Sequence, residues 1–162
     1  MNHEASTSQE AGPKAEAPVK KATIVYACSG CSDAGEIADR IARRLTREGA
    51  AQMSCLAGIG GRVKSLVIKA ENAEHILVVD GCPLNCAAHT LKLAGFQKFD
   101  HLELQKIGIR KGSCPVTDER ISAGVEAAKQ LISKTSEPEA DSADLIAPFC
   151  GDNQNKRPST QN

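Results

Sequence analysis

The 162-residue chain has no tryptophan, one tyrosine and three phenylalanines. So few flat side chains leave no platform on which unstacked bases could lie. It also lacks an excess of either charge, with 20 Lys and Arg against 20 Asp and Glu. There is therefore no basic field of the kind that draws nucleic acid or an anionic membrane. No apolar run approaches the roughly 18 residues of a membrane span, and Met1 to Lys20 contains no apolar core of a secretion signal. These absences predict a cytoplasmic protein whose partners include neither nucleic acid nor membrane.

Cysteine, by contrast, is plentiful: there are seven. In a compartment that keeps thiols reduced, cysteines read as metal ligands or redox groups before disulfides, and the odd count agrees.

Composition divides the chain in three. Residues 1–20 are rich in Ala, Glu, Ser and Pro, and residues 134–162 in Ser, Glu, Asp, Pro, Asn and Gln. Neither can bury enough apolar area to offset the entropy of ordering, which predicts a disordered tail at each end. One apolar stretch, Leu145 to Cys150, interrupts the second tail. Between them, residues 21–133 alternate strand and helix patterns.

Ala22–Ala27 and His75–Asp80 are short continuous apolar runs, as expected of strands covered on both faces. Ala51–Leu56 reads as a weaker strand and His101–Ile109 as a fourth. Asp33 with Glu36 offers a capping box for a helix carrying Ile37, Ile41 and Leu45 on one face and ending at Gly49. A second helix is expected through Val63, Leu66, Val67 and Ala70. A third begins at Pro83 as its first-turn proline and runs to Gly95. A last one spans Val116–Ile132, capped by Thr117. The β-α repeat with right-handed crossovers predicts a Rossmann-like α/β fold, a three-layer α/β/α sandwich around a four-stranded parallel sheet of order 2-1-3-4.

In that frame Cys28, Cys55 and Cys82 follow or end three different strands. All three therefore reach the carboxyl edge of the sheet, where open α/β folds place their ligands. Cys82 and Cys86 are four residues apart. On one helical face their sulfurs could share an ion at about 2.3 Å, with the helix N-terminus favouring thiolates. Cys28-Ser29-Gly30-Cys31 is a C-x2-C, a spacing used by zinc knuckles and thiol redox pairs alike. Spacing alone supports Cys28, Cys31, Cys82 and Cys86, or a set in which Cys55 replaces Cys31.

The stretch Val79-Asp80-Gly81-Cys82-Pro83-Leu84-Asn85-Cys86-Ala87, preceded by Cys28-Ser29-Gly30 and by Cys55-Leu56-Ala57-Gly58-Ile59-Gly60-Gly61, resembles the DGC-domain family. That family is named for its Asp-Gly-Cys motif and is described chiefly as zinc-binding. The similarity covers Ala22 to Ile132, three motifs in order, and neither tail. It implies zinc as the cofactor and Cys28, Cys55, Cys82 and Cys86 as its ligands. Cys31 then stands at a position the family often fills with alanine, as an extra thiol able to substitute.

Other residues carry plainer readings. His89 projects from the helical face of Cys82 and Cys86 and could complete a site of three sulfurs and one nitrogen, although packing or capping is the more ordinary role. His75 and His101 begin strands and read as surface residues. Asp80 suits either a turn or a hold on loop amides. Gly58–Gly61 reads as a tight strand-to-helix turn, being neither a P-loop nor a dinucleotide fingerprint. Cys114 and Cys150 read as incidental. A C-x5-R phosphatase loop is excluded, because Ala34 follows Cys28 and Lys92 follows Cys86 at that spacing.

The function expected is therefore binding of a metal ion by clustered thiolates, with no catalytic residue assigned. A closed four-thiolate shell leaves no position for an activated water. The alternative is a thiol redox or sulfur-transfer enzyme using Cys28 with Cys31 or Cys82 with Cys86.

Overall fold

The structure, a computed structural model, describes residues 22–136. The expected tail at 1–20, and the Leu145–Cys150 stretch with its Cys150, lie outside the described residues.

Four strands, β1 (Thr23–Ala27), β2 (Gln52–Met53), β3 (His75–Asp80) and β4 (Asp100–Glu103), form one parallel sheet of order β2-β1-β3-β4. The expected α/β class and strand order are both borne out. Helices α1 (Asp33–Arg47), α2 (Leu56–Gly60), α3 (Lys64–Glu71), α4 (Cys86–Leu93) and α5 (Asp118–Ser136) complete the described elements, with a 3-10 turn at Leu104–Ile107.

The alternation of side chains along each strand sorts the core into two halves. On one face Val25, Leu77, Val79 and Leu102 pack under α1 and α5, against Ile37, Ile41, Leu45, Ile121 and Val125. On the other, Ile24, Tyr26, Ile76 and Val78 pack against Ile59, Ala70, Ala87 and Leu91 of α2, α3 and α4. Strands buried on both sides read as unbroken apolar runs, so β1 and β3 were the clearest in the sequence.

Five local expectations are corrected. The cap of α1 is Ser32, whose Oγ accepts from Gly35 N at 3.2 Å, and Asp33 is the first helical residue. Chain 51–56 contributes only two residues of strand, and Gly58–Gly60 lies inside α2 rather than in a turn. Pro83 sits in the loop ahead of α4, whose first residue is Cys86 and whose N-cap Asn85 is left-handed at φ 48°. The fourth strand stops at Glu103, where the chain turns into the 3-10 segment. Thr117 does precede the last helix, with Arg120 N reaching its Oγ1 at 3.5 Å, and that helix continues to Ser136.

Candidate metal centre

Every strand of a parallel sheet ends at the same edge, and β1, β2 and β3 deliver cysteines there. Cys28 is the first residue past β1. Its N–H still bonds to Val79 O at 3.0 Å, so the ladder itself fixes its place. Its half-buried side chain packs against both core halves. Its Sγ accepts from Gly81 N at 3.3 Å, which ties the loop after β1 to the Asp-Gly-Cys loop after β3.

Gly81 permits that approach. A Cβ at this position would lie 2.6 Å from the carbonyl carbon and oxygen of Ala34 and 2.8 Å from Gly35 N, against backbone that cannot move aside. The small residue of the motif is a consequence of α1 pressing on the loop.

Cys82 lies in a tight turn closed by Asn85 N donating to Cys82 O at 3.1 Å. It is half-buried, and Cys86, opening α4, is exposed. Cys82 therefore does not share a helical face with Cys86; the turn and the left-handed Asn85 set their relation instead. With its amide nitrogen turned toward the surrounding oxygens, Asn85 reaches Cys82 O at 3.2 Å and Glu103 Oε2 at 3.3 Å.

Asp80, only 1 % exposed, settles the orientation of α4. Its Oδ1 accepts from Ala87 N at 2.9 Å and its Oδ2 from Ala88 N at 3.1 Å, two of the amides that a helix N-terminus leaves unpaired. His101 Nε2 lies 3.0 Å from the same Oδ2. Sequence reasoning placed His101 at the surface. Its partner sits 21 positions away on the neighbouring strand, and only the register Val78↔His101 brings them together.

Cys55 is the N-cap of α2 and accepts from Gly58 N at 3.4 Å, with its side chain exposed. Helices α2 and α4 pack together, and both start at this edge of the sheet. Cys55 also shares the wall of one cavity with Cys28. Cys31 is exposed, in the bend before Ser32. Cys114 is buried, its N–H donating to Asp33 Oδ2. His89 is exposed on α4.

Burial pushes the Cys28 thiol up to about 11; the Gly81 N–H works against this, and Asp80, Cys82 and Cys86 add to it as nearby negative groups. Cys28, Cys82 and Cys86 thus feel one another. All described cysteines are free thiols. Among the described residues, no three Cys, His, Asp or Glu side chains are drawn together closely enough to hold a metal ion. The donor set is soft sulfur, which suits zinc, Cu(I) and similar cations. Two of the four expected donors, Cys55 and Cys86, are exposed side chains at helix starts.

The DGC domain profile matches residues 24–128. The anaerobic and virulence modulator AnvM of Pseudomonas aeruginosa is 44% identical over 88 residues, which span 54% of this chain and 67% of AnvM. No solved structure matches. Among the described residues no helix is long and apolar enough to cross a membrane.

Proposed function

The chain belongs to the DGC-domain family, and on that premise we propose that it binds one thiophilic metal ion, zinc foremost, through Cys28, Cys55, Cys82 and Cys86. The observation that carries this reading is the Gly81 N–H to Cys28 Sγ bond, which holds the loops after β1 and β3 against each other. Cys28 is thereby kept within electrostatic reach of Cys82 and Cys86. Cys55 would enter from α2, whose N-terminus lies at the same edge. No three of the described donor side chains are yet close enough to hold an ion, so binding would have to draw these side chains together.

Four thiolates make a closed tetrahedral shell, so the ion would be structural, sensed or carried, and the chain no hydrolase. The name of AnvM describes a modulator. We extend that to this chain as a metal-loaded regulatory module. The redox alternative is disfavoured at Cys28, because a nucleophilic thiol needs its pKa lowered and burial raises this one.

The test is metal analysis of protein purified under reducing conditions without added metal, followed by zinc titration of the stripped chain. About one tightly held ion per chain is expected, four cysteines making one site. A folded, reduced protein that neither carries nor takes up zinc sinks the proposal.

A further inference from the structure

Strand β2 is two residues long and pairs only with Ile24 and Val25 of β1. The flank of β1 beyond Val25 consequently has no strand beside it, and a groove of about 970 Å³ occupies the notch. It opens at Cys28 and Cys55, passes Met53 and Leu56, and follows α1 from Asp39 to Arg47. The eight helical rises from Asp39 to Arg47 make that last stretch about 12 Å long.

An added strand is ruled out, because the outward N–H of the edge, Met53 N, already donates to Thr46 Oγ1 at 2.8 Å. Ala27, Met53, Leu56 and Ala57 make the centre apolar. Three charged side chains line the α1 end: Asp39, Arg43 and Arg47. Asp39 and Arg43 close on each other at 2.7 Å. Arg47 Nε turns only to Arg43 O, at 3.4 Å, and among the described residues the Arg47 guanidinium has no carboxylate within ion-pair distance. One cation is left over.

Beneath the floor, the Ser54 and Tyr26 hydroxyls lie shielded and interact with each other. Ser54, 8 % exposed, also lines the groove. Apolar walls ending at one spare cation describe a pocket for an amphipathic anion.

We propose that this groove binds a small amphipathic organic anion, an aliphatic carboxylate, with its charge on Arg47 and its hydrocarbon body over Met53 and Leu56 toward Cys28. Cys28 and Cys55 line only one end of the groove, so the anion's binding rests on Met53, Leu56 and Arg47 and not on either thiol.

The probe is sodium octanoate, titrated below its micellar concentration into the full, reduced, isotopically labelled chain, with amide shifts recorded. Saturable shifts are expected at Ala27, Met53, Ser54, Leu56 and Gly60. Arg47→Glu on the exposed last turn of α1 should weaken binding about tenfold, the loss of one charge-assisted contact. Octanol should bind correspondingly weaker than octanoate. Ala57→Trp, filling the groove from the exposed face of α2, should abolish the shifts. Shifts scattered over the surface overturn the proposal. So does an affinity that ignores Arg47→Glu, or one that survives Ala57→Trp.

Discussion

Asp80 at the end of β3 and His101 on β4 meet at 3.0 Å across the sheet, and the same carboxylate holds the first amides of α4. One buried side chain thus connects the sheet's outer strand to the helix that begins with Cys86. The Asp of the Asp-Gly-Cys motif works on helix geometry, and the Gly on clearance from α1.

Asp80→Ala removes both acceptors and leaves two buried amides without partners, so a loss of about 1–3 kcal/mol is expected. Asp80→Asn keeps one carbonyl acceptor and should fall between the two. Urea unfolding of the metal-free protein measures it. Equal stability of all three would show that water or another group takes over the α4 amides.

Gly81→Ala and Gly124→Ala separate backbone collision from side-chain collision. At Gly81 the added Cβ meets Ala34 and Gly35 backbone, and at Gly124 it meets the Ile41 Cδ1 terminus. A backbone conflict must move α1 or the loop, whereas an isoleucine tip can change rotamer. We expect Gly81→Ala to cost about 1–3 kcal/mol and Gly124→Ala clearly less, compared by thermal unfolding.

Asp33 accepts from Gly112 N at 3.0 Å, Cys114 N at 3.2 Å and Ala34 N at 2.8 Å, bracing the loop before α5 against α1. These amides, Gly112 foremost, hold its carboxyl down to about 2 from 3.8. A depressed carboxylate contributes stability that is fully present above its unfolded value and lost as pH falls through the folded one. Wild type should therefore exceed Asp33→Asn by a constant margin near neutrality, and the margin should shrink between about pH 4 and pH 2. A margin independent of pH in that window would rule out the ionised bracket.

Cys28 titrates in the opposite sense. Its thiol rises from 9.0 to about 11, with burial the main cause. The fold holds this proton more tightly than the unfolded chain does, so the contribution is complete below about pH 9 and lost as pH climbs through about 11. Metal-free wild type should lose stability relative to Cys28→Ala between about pH 9 and about pH 11, read from denaturant midpoints. Parallel curves would place the proton elsewhere.

What the sequence could convey follows from the range of the forces involved. Strands β1 and β3 were legible because burial on both faces leaves only apolar residues. The arrival of Cys28, Cys55 and Cys82 at one edge followed from strand direction alone. The relation of Cys82 to Cys86 was misread because Asn85 adopts a left-handed backbone, which no periodicity announces. His101 and the Asp33 bracket depend on partners 21 and 79 positions away, fixed by register and loop closure. The shortness of β2, and with it the groove, reflects Cys55 capping α2 where an extended run was expected.

That cap also allows ligation to be separated from folding at Cys55. Serine is a better helix N-cap than cysteine, since its oxygen is the stronger acceptor for the Gly58 N–H. Cys55→Ser should leave the metal-free domain as stable as wild type or a few tenths of a kcal/mol better. Cys55→Ala should lose about 1 kcal/mol through the missing cap. Zinc binding should respond differently, because a hydroxyl replaces a thiolate poorly: both variants should bind at least about tenfold more weakly. Cys31 caps nothing, its Sγ being exposed and its N–H donating to Ser29 O. Cys31→Ser should therefore change neither quantity. Competition with a chromophoric chelator reads the affinities and urea midpoints read the stabilities. Were Cys31→Ser to weaken zinc binding while Cys55→Ser left it intact, the fourth sulfur would come from the loop after β1, and α2 would have no part in the centre.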